Sequence, residues 1–260
     1  MDQFSRSALL IGREGIEKLS RARVALFGVG GVGGYLAEAL ARSGVGNIDL
    51  YDPDTVALTN LNRQIIALHS TLGDSKAEVM ARRLRDINPT IKLAAYPLFY
   101  LPENAEQVDL SAFDYIADAI DTVTAKLDLI ERCYHLGAPI ISAMGAGNRL
   151  DPTQVKVGDI FETQNCPLAR IIRKELRKRG IPSLQVAYST EPALSPFPEE
   201  AAALQAESSA SDATRRDTPG SMMFVPAAMG LAMAATIVRD LLNVSDRKPK
   251  NLEKACNCLK

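Results

Sequence analysis

Residues 24–34 read VALFGVGGVGG, and residues 47–64 read NIDLYDPDTVALTNLNRQ. The first stretch is an apolar strand that runs into a glycine-rich turn, and an amphipathic segment separates it from the second strand. Such a turn lets the backbone and the amino end of the following helix approach phosphates. Asp52 ends the second strand, within the interval of about 20 residues expected for an acid that binds a ribose. The order of strand, turn, helix, strand and acid predicts a site for an adenine nucleotide.

The first half of the chain alternates apolar strands with helical segments. We predict strands at 24–28, 48–52, 91–96, 115–120 and 139–143, and helices near 32–43, 75–87 and 123–136. This alternation is typical of a parallel sheet that is covered by helices on both faces. We therefore expect an α/β fold with a Rossmann-like, mostly parallel sheet, and a ligand beyond the carboxyl ends of its strands.

The second half has a different pattern. Two predicted strands, 151–160 and 183–190, flank a basic helix over 166–180, and an apolar helix ends near residue 242. Residues 199–221 are rich in Ala, Ser and charge without an apolar period, which predicts a mobile loop over 199–219. We expect a single domain over 1–260, with a nucleotide-binding part (1–145) and a part for substrate binding and dimerisation (146–260).

The composition limits the classes of function. Lys and Arg number 30 against 31 Asp and Glu in 260 residues, so a nucleic-acid surface must be a local patch. The 4 cysteines form no CxxC pair, so we expect no zinc site and a reducing cytoplasm. Residues 222–238 carry no charge. Their length reaches the lower limit for a membrane span, but Pro226 and many small residues favour a buried helix over membrane association.

A polar cluster follows the second strand and distinguishes ATP from NAD. The predicted nucleotide site consists of Gly28, Gly30, Gly31, Gly33, Asp52, Asp54, Asn60, Arg63, Gln64, Lys76 and Asp121. Arg63 and Lys76 can neutralise a triphosphate, and Asp121, expected at the end of the fourth strand, can hold Mg²⁺. ATP and Mg²⁺ are therefore the predicted cofactors. Each residue alone also fits a structural role: Arg63 on the surface, Lys76 at a solvated helix start, and Asp121 as a helix N-cap.

These motifs resemble those of the ThiF/MoeB/HesA superfamily, which is related to ubiquitin-activating enzymes. The resemblance covers roughly residues 4–142 and is carried by GVGGVGG, the D-x-D of Asp52 and Asp54, TNLNRQ, GDSKAE and AID. It implies that a carboxylate is activated as an acyl-adenylate with release of pyrophosphate. It also implies that Gly31 contacts the phosphates, that Asp52 binds the ribose, that Asn60, Arg63 and Lys76 bind the triphosphate, and that Asp121 holds Mg²⁺.

Arg6, in the sequence FSRS, resembles the family's arginine that reaches into the active site of a partner subunit. This resemblance implies a homodimer.

The second half resembles one branch of the family. DPTQVKVGDI, CPLAR, YSTE and GSMMFVPAAMGLAMA are similar to segments of the tRNA threonylcarbamoyladenosine dehydratases. That branch implies ATP-dependent activation of the carboxylate of threonylcarbamoyladenosine, next to the anticodon of tRNA, followed by cyclisation with net loss of water. Adenylation of a ubiquitin-like sulfur carrier, an NAD-dependent dehydrogenase and a non-catalytic nucleotide sensor are the alternatives. Sulfur-relay proteins are candidate partners in addition to tRNA.

Two features of the predicted basic helix have more than one interpretation. Cys166 lies downstream of Asp121, as the cysteine of thioester-forming relatives does, but it also fits a small buried residue at the helix start. The positive residues Arg170, Arg173, Lys174 and Arg177 fall on one helix face. This stripe is either a contact for the tRNA backbone, with salt-dependent binding, or an ordinary solvated surface.

Overall fold

The computed structural model describes residues 2–208 and 219–244, which form one seven-stranded sheet with surrounding helices. The strands are β1 (Arg23–Phe27), β2 (Asn47–Tyr51), β3 (Lys92–Tyr96), β4 (Tyr115–Asp118), β5 (Ile140–Ala143), β6 (Val155–Asp159) and β7 (Gln185–Ser189). The α-helices are α1 (Ser5–Arg21), α2 (Gly33–Ser43), α3 (Lys76–Ile87), α4 (Val123–Leu136), α5 (Pro167–Lys178), α6 (Pro198–Ser208) and α7 (Phe224–Leu242).

The strand order is β3-β2-β1-β4-β5-β7-β6, and every neighbouring pair is parallel except β6 with β7. The prediction of a mostly parallel Rossmann-like sheet, extended by C-terminal strands and helices, is confirmed. The chain leaves β1 towards β2 on one side and returns to β4 on the other, so the strand order reverses at β1. In open α/β sheets a crevice forms at such a switch point, beyond the carboxyl ends of the strands.

Alternate residues of β1 face opposite layers of helices. Val24 and Leu26 are fully buried in the core that α2, α3 and α7 share, whereas Ala25 and Phe27 are fully buried in a second core against α4. A strand that is apolar at every position therefore packs on both faces, which confirms the prediction of a sheet covered on both sides. Each fully buried Leu or Phe side chain contributes about 1.5–3 kcal/mol through the loss of apolar surface from water.

Helix α7 packs its apolar face on the sheet and on α2. Val225, Met229, Met233 and Ile237 recur every four residues and are fully buried. Gly230 allows close contact, since a Cβ there would lie 2.3 Å from the carbonyl oxygen of Val32. Within the described residues, α7 is the one helix long and apolar enough to cross a membrane. The helix packs one face against the sheet and α2, with 39% of its most apolar 18 residues buried, and the preference for a buried helix over membrane association through 222–238 stays a prediction.

The segment predicted as a mobile loop over 199–219 begins instead as helix α6 (Pro198–Ser208). The loop prediction is wrong for this part, because alanines and glutamates form a helix through local propensity without an amphipathic period. Glu199 and Glu200 lie in the first turn, where negative charge is favourable. Residues 209–218 lie outside the described residues. The division of one domain at residue 145 stays a prediction, although strands from both halves join the same sheet.

Candidate nucleotide-binding site

A crevice of about 760 Å³ opens at the carboxyl ends of β1, β2 and β4. Its volume is in the range of small-molecule sites, about 300–1,000 Å³. Of the residues predicted to bind ATP, Gly28, Gly30, Gly31, Asp52, Asp54, Arg63, Gln64, Lys76 and Asp121 line the crevice. Gly33 and Asn60 are not among the lining residues.

The glycine turn has no room for side chains at its two ends. Gly28 has φ +91°, and a Cβ there would lie 2.6 Å from the carbonyl oxygen of Ala119. A Cβ on Gly33 would lie 1.8 Å from the carbonyl oxygen of Gly28. Gly33 therefore makes the tight turn possible, whereas Gly30 and Gly31 lie at the crevice where phosphates would approach the backbone.

Asp52 is buried beneath the turn and holds it to β2. One carboxylate oxygen accepts a hydrogen bond from the Val29 amide at 2.6 Å, and the other accepts from the Asp54 amide at 2.9 Å. Burial raises the pKa of the Asp52 carboxyl, and these backbone bonds together with the charge of Lys76 act in the opposite direction. Since each carboxylate oxygen can accept a second bond, Asp52 can still receive a ribose hydroxyl.

Lys76 begins α3 and points its ammonium into the crevice. Its Nζ lies 2.7 Å from Oδ2 of Asp54, and its side chain is 8% exposed against 62% for that of Asp54. The pair therefore has a buried cation and a solvated anion. An ammonium has three donors, so the contact with Asp54 leaves two for phosphate oxygens.

The segment after β2 contributes Arg63 and Gln64. The Arg63 guanidinium is half-buried and donates to the Thr59 carbonyl at 2.8 Å and to Oδ1 of Asn62 at 2.9 Å. Partial burial lowers the pKa of Arg63, but an arginine stays cationic at neutral pH. Oε1 of Gln64 is buried without a hydrogen-bond partner in the part of the chain that the structure describes, and Gln64 lines the crevice.

The Asn60 side chain makes a local structural contact and does not line the crevice. Its Oδ1 accepts from the Ala57 amide at 3.1 Å and closes the short 3-10 helix Leu58–Asn60. The triphosphate contact that the family resemblance implied for Asn60 has no counterpart in the crevice lining.

Asp121 lies in the loop between β4 and α4, three residues beyond the end of β4. The predicted strand end at residue 120 is therefore wrong by two residues. The Asp121 side chain is exposed and, among the described residues, receives a hydrogen bond only from Oγ1 of Thr122, at 3.4 Å. Thr122, not Asp121, is the N-cap of α4. A carboxylate with free oxygens fits Mg²⁺, which proteins often hold through one or two carboxylates together with phosphates.

Comparison with known proteins identifies the family to which this site belongs. The ThiF family model matches residues 4–258. The chain belongs to the ThiF family. The resemblance inferred from the motifs is confirmed.

Several similar curated proteins carry the name tRNA threonylcarbamoyladenosine dehydratase. The protein of that name from Bacillus subtilis (strain 168) is 43% identical over 243 residues, which cover 93% of this chain and 95% of that one. The Escherichia coli (strain K12) protein is 39% identical over 197 residues, with 73% and 74% covered. The crystal structure of the E. coli enzyme, TcdA, in complex with ATP has a TM-score of 0.81 and 32% identity, with 95% and 96% covered.

Aromatic residues form a wall of this ThiF-family crevice that the sequence analysis did not identify. The Phe27 and Tyr51 rings stack at 4.6 Å between centroids, and Tyr51 stacks on Tyr96 at 4.8 Å. Phe27, Tyr51, Phe99 and Tyr100 line the crevice. A planar base can pack against such a wall. The available signal was an aromatic residue at the end of each of the first two strands.

Cys166 is buried away from the crevice lining. It is 5% exposed and caps α5, where its Sγ accepts from the Ala169 amide at 3.5 Å. These contacts are those of a small buried residue at the helix start, and the catalytic role of Cys166 stays an untested alternative.

The four positive residues of the predicted stripe on α5 differ in their contacts with the rest of the protein. Arg173 donates to the carbonyl oxygen of Thr163 at 2.9 Å, and Arg177 lies over the Phe161 ring at 5.2 Å. Arg170, Lys174 and Arg177 are exposed, although Arg177 also contacts the Phe161 ring. The guanidinium of Arg173 binds the segment before α5, and the role of the stripe in tRNA binding stays a prediction.

Proposed function

We propose that this chain uses ATP to activate the carboxylate of threonylcarbamoyladenosine in tRNA as an acyl-adenylate, and that the modified base then cyclises. The observation that carries the proposal is the crevice that brings Arg63, Lys76 and Asp121 to the glycine turn. The name shared by relatives with up to 43% identity supports the choice of substrate.

The first step is transfer of an adenylyl group. A carboxylate oxygen of the substrate attacks the α-phosphorus of ATP, the bond to pyrophosphate breaks, and the electron pair leaves with pyrophosphate. Arg63 and Lys76 stabilise the charge that develops on the leaving group, and the amino end of α2 faces the phosphates. Mg²⁺, which Asp121 would hold together with the phosphates, supplies further neutralisation of this charge.

The second step is intramolecular. An atom of the carbamoyl group attacks the acyl carbon, its proton is lost to solvent, and AMP leaves with the former carboxylate oxygen. The sum of both steps removes one water from the substrate. Because such oriented reactions gain effective molarities of about 10⁵–10⁸ M, the protein needs only to position the substrate and exclude water. A cysteine nucleophile is not required, which agrees with the burial of Cys166.

The proposal includes a tRNA surface on α5. Arg170, Lys174 and Arg177 are exposed, and they can follow the phosphates of an anticodon stem–loop. Aromatic residues make up 5% of the chain, so few side chains are available to stack on the modified base.

A homodimer is a second part of the proposal. Arg6 is exposed on α1, where it can reach a partner subunit as the family resemblance implies. A cytoplasmic location and a sulfur-relay partner stay predictions.

The decisive experiment incubates the purified protein with ATP, Mg²⁺ and tRNA that carries threonylcarbamoyladenosine. We expect mass analysis of the nucleosides to find the modified base with one water fewer, and AMP formed in equal amount. Arg63→Ala should remove both products, whereas Arg82→Ala, which changes an exposed arginine paired with Asp74, should not. Pyrophosphate exchange that depends on a sulfur carrier and not on tRNA would refute the proposal, and so would binding of NAD but not ATP.

A further inference from the structure

A fully buried ion pair lies under the loop that carries Asp121. The side chains of Lys126, on α4, and Asp118, at the end of β4, are both 0% exposed. Nζ of Lys126 donates to Oδ2 of Asp118 at 2.6 Å, to Oγ of Ser142 at 3.1 Å and to the carbonyl oxygen of Ala143 at 3.0 Å. All three ammonium protons are used, so the ammonium joins the carboxyl ends of β4 and β5 to α4.

The other atoms of Asp118 extend this connection into the crevice loop. Ser142 donates its hydroxyl to Oδ2 of Asp118 at 2.6 Å, and Oδ1 of Asp118 accepts from the amide of Ile120 at 3.0 Å. Ile120 immediately precedes Asp121, and residues 119–122 line the crevice. The buried pair thus fixes the backbone that carries the Asp121 carboxylate.

Stability alone does not account for such a pair. Removing two charges from water is expensive, and well-packed apolar residues of similar volume are often as stable or more so. What the pair provides is a defined geometry at the ends of β4 and β5. Within residues 2–208 and 219–244, the exposed Asp121 side chain has only a long hydrogen bond with Thr122, at 3.4 Å, so its position depends on the backbone below it.

We propose that Lys126 is a positioning residue that acts through Asp118 to hold loop 119–122, so that the Asp121 carboxylate faces the nucleotide and its metal ion. The inference rests on the proposed function, because that function gives Asp121 its role. The effect of Lys126 on the position of loop 119–122 can also be measured without turnover.

The test uses three variants and two measurements. Lys126→Met keeps the length of the side chain without its charge, Asp118→Asn/Lys126→Met removes both charges, and Ser142→Ala removes one hydroxyl from the network. Leu40→Ala is the matched control, because it truncates a fully buried residue late in α2, away from the loop. Amide hydrogen exchange, measured without nucleotide or metal, reports on the loop directly.

We expect the amides of residues 119–122 to exchange faster in the three network variants, while those of the core strands β1 and β2 stay protected. We also expect the Mg²⁺ concentration for half-maximal AMP formation to rise by about 10–100-fold in Lys126→Met, as is typical when an outer-shell partner of a metal ligand is lost. Excess Mg²⁺ should restore part of the turnover. Leu40→Ala should lower the melting temperature and change neither quantity.

Unchanged exchange at 119–122, together with an unchanged Mg²⁺ requirement in a folded network variant, would overturn the inference. If Lys126→Met fails to fold, Asp118→Asn/Lys126→Met decides, since it removes the ion pair without leaving a buried charge unpaired. If the wild-type protein forms no AMP with modified tRNA, the proposed function fails, and the exchange rates alone decide whether the network positions the loop.

Discussion

Replacing Lys76 by methionine should remove most of the catalytic rate with little effect on folding. The ammonium is nearly buried and faces the crevice, while its partner Asp54 is 62% exposed. Two unit charges about 4 Å apart interact by about 4 kcal/mol at an effective dielectric constant of 20. If the ammonium acts on the triphosphate in the transition state, its loss should reduce kcat/KM by about 10³-fold, at tenfold per 1.36 kcal/mol.

The effect on stability should be much smaller. A pair with one solvated partner contributes about 0–1 kcal/mol, and methionine fills a similar volume without a buried charge. The melting temperature should therefore change by no more than about 2–4 °C. Asp54→Asn should lower kcat/KM less than Lys76→Met, because it leaves the ammonium in place.

The assay is tRNA-dependent release of pyrophosphate at varied ATP concentration, with thermal unfolding of the same preparations. Lys92→Met, a change at an exposed lysine that begins β3, is the matched control and should behave like the wild type. A Lys76→Met protein whose kcat/KM stays within about tenfold of the wild-type value would refute the reasoning. In that case the Lys76 ammonium would only form its ion pair with Asp54.

Four further predictions test other parts of the structure. Gly33→Ala should prevent ATP binding, because the added methyl group would lie 1.8 Å from the Gly28 carbonyl oxygen; calorimetric titration that gives a Kd close to that of the wild type would contradict this. Cys166→Ser should leave AMP formation unchanged, since serine is a good N-cap; an inactive but folded variant would indicate a catalytic thiol. Arg170→Gln should weaken tRNA binding and reduce its salt dependence by one phosphate contact, about 0.7–0.9 in slope, without lowering the melting temperature. Arg173→Gln should instead destabilise the protein by about 1–3 kcal/mol through loss of its bond to the Thr163 carbonyl, and thermal unfolding that matches the wild type would contradict that role.

The nucleotide site was largely predictable because its residues follow strand ends in a regular order. The glycine turn, Asp52 and Lys76 each begin or end an element, and parallel strands bring such positions to one edge of the sheet. The triphosphate contact of Asn60, implied by the family resemblance, stays a prediction, and in this structure the side-chain oxygen of Asn60 closes a local turn. Short-range competition of this kind between a side chain and the backbone is not visible in a motif.

The Asp118–Lys126–Ser142 network could not have been predicted from the pattern of residues. Asp118 lies in a strand that reads as apolar, and Ser142 lies in another. In the sequence, a buried lysine in a helix cannot be distinguished from a solvated lysine, because the packing of the neighbouring sheet is not known. The stack of the Phe27, Tyr51 and Tyr96 rings likewise arises from the register of neighbouring strands.

By itself, the sequence determined the order of elements, the parallel sheet and the edge at which a nucleotide binds, because these follow from local periodicity and from the steric freedom of glycine. The tertiary structure alone decided which polar side chains face the crevice and which form hydrogen bonds within the protein. The physical reason is that hydrogen-bond partners such as Lys126 and Ser142, or Arg173 and Thr163, are brought together by packing between elements. Those contacts cannot be inferred from the spacing of the residues along the chain.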